Sequence, residues 1–279
     1  VVGYLAAQGD SYLAVYSYEN GTVNAILEQS YEQYLVEDIT GGGNNDAQWS
    51  NAEFDSLIKQ IKSSGDAEAR MEMMHQAEDI IFDEWMLCPI YYYVDIYMAQ
   101  QNLENLSTSP LGFKFFMNAS NGTDTLKVCT GPDPDTIDPA LNSAVDGGTM
   151  IDHAFEGLYT VAYGTTPTPG QAESVEISED GLTYTFHLRE GLKWSDGTDM
   201  TAEDFVYTFQ RVADVNTAAP YAATAVGMIK GFDDAQGNPD ADGKATTEPD
   251  ATKLAVSAPD AKTFVVELSY PCTYFDKLA

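Results

Sequence analysis

The chain has 279 residues, of which 44% are hydrophobic, and its 44 Asp and Glu residues against 13 Lys and Arg give a formal charge of −31. This length and apolar content suffice for a sizeable core, in one large domain or two modest ones, which argues against a disordered tail. Because nucleic-acid binding depends on Lys and Arg that displace counterions from phosphates, the charge argues against a nucleic-acid partner and an anionic membrane surface.

No stretch is long and apolar enough to cross a bilayer, and Val1 does not begin the charged-then-apolar pattern of a signal peptide. We therefore expect the chain as given to be soluble and without a signal peptide. If it is exported, a leader or lipid-bearing Cys was removed or never included. Cys88, Cys129 and Cys272 lack the spacing of a zinc site or disulfide framework. They are predicted to be structural thiols, with one disulfide as the alternative.

The N-terminal region has the weakest patterns. Residues 12–18 alternate as a strand does, Asn20-Gly21 predicts a turn, and residues 23–36 favour a helix. From Asn51 the three-to-four spacing of apolar residues predicts a helix capped by Ser50.

A second helix is predicted from about residue 66 to residue 85, with Pro89 ending it. Residues 90–98 are rich in aromatic and β-branched side chains, which favours a buried strand. Two further strands are predicted at 113–117 and 125–129, joined by a turn or short linker around Asn121-Gly122.

The second half of the chain alternates between loops and regular elements. Residues 131–142 predict a loop, and a helix is expected to begin at Met150. Residues 231–253 have little apolar content and predict an exposed insertion. A last hairpin is predicted to pair residues 254–257 with 263–268.

Residues 180–205 carry the strongest local signals. Asp180-Gly181 predicts a type I′ turn between strands at 174–178 and 183–188. Trp194 precedes a second turn and is interpreted as a structural anchor that pins this turn to the core. Thr201 and Asp204 have the spacing of a capping box, followed by a helix with Phe205, Phe209 and Val212 on one face.

Seven segments together share the pattern of one family. Its opening pattern is visible in residues 126–139, 153–159 and 180–205, and its closing pattern in residues 44–46, 50–55, 70–77 and 89–93. On these residues the chain resembles the extracytoplasmic solute-binding proteins of oligopeptide and dipeptide ABC importers. The resemblance implies an α/β fold, with a mixed β-sheet and flanking helices, like one lobe of a type II periplasmic-binding-protein fold.

The order of these segments is reversed relative to the family, which implies a circular permutation joined near residues 118–124. The resemblance divides the chain into an uncertain segment 1–39, a part 40–118 similar to the family's C-terminal end, and a part 124–279 similar to its N-terminal end. The last two parts are expected to form one lobe around a shared core. The family's second lobe, which closes over the ligand, has no counterpart here.

The resemblance implies noncatalytic binding of short peptides for ABC-type import, impaired by the loss of the second lobe. The implied partners are short peptides and an ABC transporter permease, and the implied location is extracytoplasmic, in the periplasm or at the cell surface. A membrane contact is expected only through an absent lipid anchor or the permease. The alternative is a permuted structural fragment or scaffold that binds no ligand.

Four residues are the implied ligand contacts. Glu156 matches a family loop on the ligand cleft, Leu158 and Tyr159 adjoin it, and Tyr221 resembles another cleft position. Glu156 would accept a hydrogen bond from a peptide amine or side chain, and the others would form apolar walls. The alternative is that Glu156 caps a local turn and the others belong to the core.

No other chemistry is predicted. Residues 238–243 imitate the start of a calcium loop, but the twelfth position is Pro249 where a bidentate Glu is required, so a solvated acidic loop is favoured. The acidic loop with Asp133, Asp135 and Asp138 has no compelling ligand geometry, and the three histidines share no metal-binding spacing. Without a nucleophile motif or a phosphate-cradling glycine loop, we expect no enzyme, no catalytic residue, no metal and no cofactor.

Overall fold

The computed structural model describes residues 2–7, 11–16, 49–86, 90, 97–108, 113–129, 131–160, 167–240, 244–272 and 274–278. Within these ranges helices flank β-sheet, so the predicted α/β class is confirmed. All the strand pairs in these ranges are antiparallel, and no parallel pair of a mixed sheet is among them.

The N-terminal strands form a hairpin of β1 (Val2–Ala7) and β2 (Ser11–Tyr16), paired from Val2 opposite Tyr16 to Ala7 opposite Ser11. The predicted strand at 12–18 is confirmed over most of its length, whereas β1 was not predicted. The turn at Asn20-Gly21 and the helix at 23–36 lie outside the described residues.

A helical hairpin follows, formed by α1 (Ala52–Ser63) and α2 (Ala67–Asp83). The cap of α1 is Asn51 rather than the predicted Ser50, because the Asn51 carboxamide oxygen accepts the N–H groups of Glu53 and Phe54 at 2.8 and 3.0 Å. Asp66 caps α2, so the helix begins close to the predicted boundary. The helix ends at Asp83, before Pro89, which lies in an undescribed part together with most of the predicted strand at 90–98.

The two helices bury apolar side chains between them in a cluster that we call the hairpin core. Its buried members are Phe54, Ile58, Ile61, Met74, Ala77 and Ile81. This confirms the predicted helical spacing.

The region around residues 104–124 differs from the prediction. The strand predicted at 113–117 is only β4 (Lys114–Phe115), which pairs with β3 (Ser107–Thr108). Residues 125–129 are not a strand, so the predicted strand there is wrong. A segment of only five residues with two β-branched side chains, Thr125 and Val128, is a weak strand signal unless a neighbouring strand supplies the pairing.

The predicted turn at the proposed join is present. The Asn121 carboxamide accepts the Thr123 N–H at 3.0 Å, and Gly122 has a φ of 80° that glycine adopts without strain. An isolated antiparallel bridge between Glu104 and Ser120 attaches the first part of this turn to the preceding chain. Residues 118–124 are therefore an ordered turn.

The main sheet has four strands in the order β7-β8-β10-β9. Their bounds are β7 (Ala172–Ile177), β8 (Thr183–Leu188), β9 (Val256–Asp260) and β10 (Thr263–Glu267). Both predicted hairpins are confirmed. A short pair, β5 (Tyr159–Thr160) with β6 (Thr168–Pro169), precedes this sheet.

The turn between β7 and β8 is not type I′. Gly181 has a φ of 70°, but Asp180 does not have the positive φ that type I′ requires at both central positions. Instead the Gly181 N–H donates to the Ser178 carbonyl at 2.9 Å, and the Asp180 carboxylate accepts the Leu182 N–H at 3.1 Å. The turn thus places only its glycine in the left-handed region.

The main core lies between this sheet and α4 (Ala202–Ala213), which begins at the predicted capping box. Phe205 and Phe209 of the helix lie 5.9 and 5.1 Å, ring to ring, from Phe264 of β10. Tyr184, Phe186 and Leu188 are buried while the alternate residues of β8 are half-buried, as the period-2 pattern predicted.

Side-chain burial departs from the prediction in two places, residues 231–253 and Cys129. Residues 231–253 are not a wholly exposed insertion, because α6 (Phe232–Ala235) buries Ala235 in the main core. Cys129 is exposed rather than buried, whereas Cys272 is buried, and Cys88 belongs to an undescribed range. Trp194 is 38% exposed, and the turn after it forms as predicted.

The hairpin core and the main core share no members among the described residues. One contact between them is a cation–π contact, in which the buried Arg70 of α2 lies 5.5 Å from the ring centre of Tyr274. Among the described residues the apolar side chains thus form two clusters, and this cation–π contact lies between them.

Candidate functional site

The candidate site is built on α3 (Val145–Ala154) and on residues 155–159 after it, which we call the site loop. The helix begins five residues before the predicted start at Met150, and the chain becomes extended at Phe155, where φ is −126° and ψ is 156°. The site loop therefore emerges from the C-terminal end of a helix and leads directly into β5.

Backbone hydrogen bonds fix the site loop against the start of β7. The N–H groups of Gly170 and Ala172 donate to the Leu158 carbonyl at 3.0 and 3.1 Å, and the Gln171 N–H donates to the Gly157 carbonyl at 2.9 Å. A Cβ on Gly170 would lie 2.5 Å from the Gly157 carbonyl oxygen, so glycine is required for this close approach.

Glu156 displays its carboxylate at the surface of this loop. Its Oε2 atom accepts hydrogen bonds from Arg189 Nη2 at 2.7 Å and from Gln171 Nε2 at 3.0 Å. The side chains of Arg189 and Glu156 are 44% and 40% exposed. The carboxylate is thus accessible to a ligand but already belongs to an ion pair.

The neighbours of Glu156 mainly pack into the protein. Leu158 is 1% exposed and belongs to the main core. The Tyr159 ring packs edge-on against Phe186 at 6.3 Å between centres, and burial raises the pKa of its phenol, with a further contribution from the negative charge of Asp276. Both residues therefore support the site loop from beneath, and only Tyr159 remains partly accessible.

Tyr221 stands apart from these residues. It is 55% exposed and precedes α5 (Ala222–Val226), where its carbonyl accepts the Ala225 N–H at 2.8 Å. In the described ranges no hydrogen bond or ring contact joins Tyr221 to the site loop. The structure brings Glu156, Leu158 and Tyr159 together because they are adjacent in sequence.

His153 is a neighbouring residue whose role the sequence did not predict. Its Nε2 accepts the Phe116 N–H at 2.8 Å, and its Nδ1 lies 2.6 Å from the Thr149 carbonyl oxygen, so the ring proton is on Nδ1. Its ring also lies 5.2 Å from that of Phe116. His153 therefore connects the C-terminal end of α3 to the region of β4.

Phe155 is the other residue that the sequence reading left out, and it is 48% exposed beside Glu156. Its position in the same short motif was the available signal. An exposed phenylalanine next to an exposed carboxylate can provide an apolar surface for a ligand.

Metal binding finds no support in the described ranges, where no group of three or more His, Cys, Asp or Glu residues could hold an ion. Residues 241–243 of the calcium-loop imitation lie outside those ranges. In the acidic loop, Asp138 instead forms a bidentate ion pair with Arg211. None of the described helices has the length and apolar character to cross a membrane.

Residues 166–279 match the family of bacterial extracellular solute-binding proteins, family 5 Middle. The chain is 42% identical over 155 residues to the periplasmic oligopeptide-binding protein OppA of Salmonella typhimurium, which covers 55% of this chain and 27% of that protein. It is 38% identical over 160 residues to the oligopeptide-binding protein OppA of Bacillus subtilis, with 57% of this chain and 27% of that protein covered.

Among solved structures, OppA of Listeria monocytogenes bound to peptide matches at 32% identity and a TM-score of 0.46, covering 52% of this chain and 27% of that one. The predicted resemblance to oligopeptide solute-binding proteins is confirmed by the sequence matches. The chain spans 27% of the length of these relatives, so what the whole relatives do is not established for it.

Proposed function

We propose that this chain is a noncatalytic peptide-binding lobe, derived from a solute-binding protein of an ABC importer. The observation that carries the proposal is the accessible carboxylate of Glu156 on a site loop that backbone hydrogen bonds fix in place. The family match over residues 166–279, and relatives whose names describe oligopeptide binding, support the same assignment.

The proposal includes the order of the parts. Residues 40–118 would correspond to the family's C-terminal end and residues 124–279 to its N-terminal end, in one lobe with an uncertain segment 1–39 before it. The ordered turn at 118–124, in which Asn121 accepts the Thr123 N–H and Ser120 pairs with Glu104 in an isolated bridge, supports a circular permutation joined there. Contacts such as those of Phe116 with His153 and of Arg70 with Tyr274 support one lobe.

Binding is expected to be weak. A two-lobed protein encloses its ligand and buries most of the ligand surface, whereas a single lobe contacts one side. We expect affinity in the micromolar to millimolar range, because Glu156 contributes one charged hydrogen bond and Phe155 a limited apolar area. The natural setting would be extracytoplasmic, with delivery of the peptide to a transporter permease.

A second proposal, of a structural fragment that binds no ligand, is favoured by one observation. The Glu156 carboxylate already accepts two hydrogen bonds, and Leu158 is in the core. In this alternative Glu156 stabilises the start of the sheet through Arg189, and the site loop has no binding role.

Calorimetric titration with a mixed library of short peptides separates the two proposals. Heat of binding at micromolar to millimolar peptide supports capture, and its absence up to millimolar peptide supports the fragment.

Glu156→Gln should then weaken binding by about three- to tenfold, the effect of losing the charge from one hydrogen bond. Glu267→Gln is the matched control, because Glu267 forms an exposed ion pair with Lys230 and lies on β10, which β8 separates from β7. Equal affinity of the wild type and Glu156→Gln would remove Glu156 from the site.

A further inference from the structure

Arg189 determines which oxygen atom of the Glu156 carboxylate is available to a ligand. It follows β8, and its guanidinium is the positive charge nearest to the Glu156 carboxylate, with Nη2 at 2.7 Å from Oε2. Gln171 donates to the same oxygen, at 3.0 Å. Both donors thus use Oε2, and Oε1 has no hydrogen-bond partner within the part of the chain that the structure describes.

We propose that Arg189 is the specificity-determining residue of this site, and that it makes the site select neutral hydrogen-bond donors over cationic groups. This inference rests on the proposed peptide-binding function. A ligand N–H can bind Oε1 while the ion pair stays intact. A ligand ammonium at the same place is attracted by the Glu156 carboxylate but repelled by the Arg189 guanidinium beside it.

The charge of the whole chain makes this local neutralisation significant. With a formal charge of −31, most of the surface attracts cations, and a lone exposed carboxylate would add to that attraction. Lys262 also lies close to the backbone of Arg189, since its Nζ donates to the Arg189 carbonyl at 3.1 Å. Glu190, which lies 3.7 Å from Lys262 Nζ, balances that lysine.

The site loop does not depend on the guanidinium for its position. The three backbone hydrogen bonds from Gly170, Gln171 and Ala172 hold it against β7. The backbone of Arg189 is itself fixed, since its N–H donates to the Gln171 carbonyl at 3.0 Å. Replacing the Arg189 side chain therefore changes the charge next to Glu156 and leaves the loop in place.

The test compares the affinities of the full chain for Ala-Lys-Ala and Ala-Gln-Ala, each N-acetylated so that the lysine is the one cationic group. In the wild type we expect the lysine peptide to have little or no advantage. In Arg189→Gln the ratio of lysine-peptide to glutamine-peptide affinity should rise about three- to fivefold, the usual strength of an exposed charge pair. Arg189→Lys keeps the charge and should restore the wild-type ratio.

Three controls separate this local effect from others. Lys230→Gln removes one positive charge from an exposed pair elsewhere, with Glu267, and should leave the ratio unchanged. Glu156→Gln combined with Arg189→Gln should abolish the increase, since the carboxylate is then absent. Hydrogen exchange of the Gly170, Gln171 and Ala172 amides should be the same in Arg189→Gln as in the wild type.

The outcomes are distinguishable. An unchanged ratio in Arg189→Gln, or an equal change in Lys230→Gln, overturns the role of Arg189 while the peptide-binding function stands. Binding of neither peptide by any variant up to millimolar concentration overturns this inference, and if the peptide library also gives no heat, the peptide-binding function fails too.

Discussion

At the scale of single residues, the ion pair of Asp138 and Arg211 shows how a loop is attached to the main core. Arg211 Nη1 and Nη2 donate to the two carboxylate oxygens of Asp138 at 2.9 and 2.6 Å. These hydrogen bonds hold the pKa of Asp138 below its ordinary value. The pair joins the acidic loop to the last turn of α4 across 73 residues of sequence.

Asp138→Asn should lower the free energy of unfolding by about 1 kcal/mol at neutral pH, because the pair is partly exposed to solvent. A lowered pKa in the folded state means that the carboxylate contributes stability above its ordinary pKa of 3.8 and loses this contribution as the pH falls through the lowered value. The free energies of unfolding of the two proteins, measured in urea, should therefore differ by a constant amount above pH 3.8 and converge below the lowered pKa. A difference that persists in acid would contradict this pairing.

At the scale of elements, the sequence predicted those whose signal is local. The hairpin of β7 and β8, the helix α4 and the hairpin of β9 and β10 all have a period or cap that can be read within ten to twenty residues. The strand predicted at 125–129 failed because such a short segment depends on a partner elsewhere in the chain. The turn at Asp180-Gly181 kept its glycine geometry but not its predicted type, since Ser178 offered the Gly181 N–H another acceptor.

The candidate site comes from a sequence motif, whereas its electrostatics could not be predicted from the sequence. Glu156 was proposed from its motif, yet its pairing with Arg189 spans 33 residues and depends on how β8 lies beside the site loop. Gly170 and His153 were missed for the same reason, because their partners, Gly157 and Phe116, become neighbours only in the folded chain.

The helical hairpin of α1 and α2 is a distinct structural unit. Glu84, just after α2, accepts hydrogen bonds from Trp49 Nε1 at 2.7 Å and from Asn51 Nδ2 at 2.6 Å, which ties the start of α1 to the end of α2. Its buried residues are separate from those of the main core in the described ranges. Elements with separate cores commonly open separately in the native state.

We therefore expect two cooperative units in hydrogen exchange. Phe54→Ala should weaken amide protection in α1 and α2 by about 3 kcal/mol and leave the main sheet nearly unchanged, since Phe54 is fully buried in the hairpin core. Phe264→Ala, at an equally buried position of β10, should do the reverse. Loss of protection in both units after either substitution would show a single cooperative fold.

At the scale of the whole molecule, the excess of acidic residues is the dominant feature. A formal charge of −31 on one chain produces self-repulsion that favours expanded states. The described ion pairs relieve this repulsion only locally, as at Arg189, Arg211 and Lys230. With 13 basic residues against 44 acidic ones, most carboxylates have no basic side chain to pair with.

Salt should therefore stabilise the folded chain. Raising the ionic strength from about 0.01 M to about 0.1 M shortens the screening length from about 30 Å to about 10 Å, which weakens repulsion between separated carboxylates far more than attraction within a contact pair. The midpoint of urea unfolding at neutral pH should rise over this range, equally with NaCl and KCl, because screening does not depend on which monovalent cation is used. Near pH 4, where many carboxylates are protonated, the rise should be much smaller. A midpoint that falls with salt at neutral pH would mean that attractive ion pairs outweigh the net negative charge in stabilising this fold.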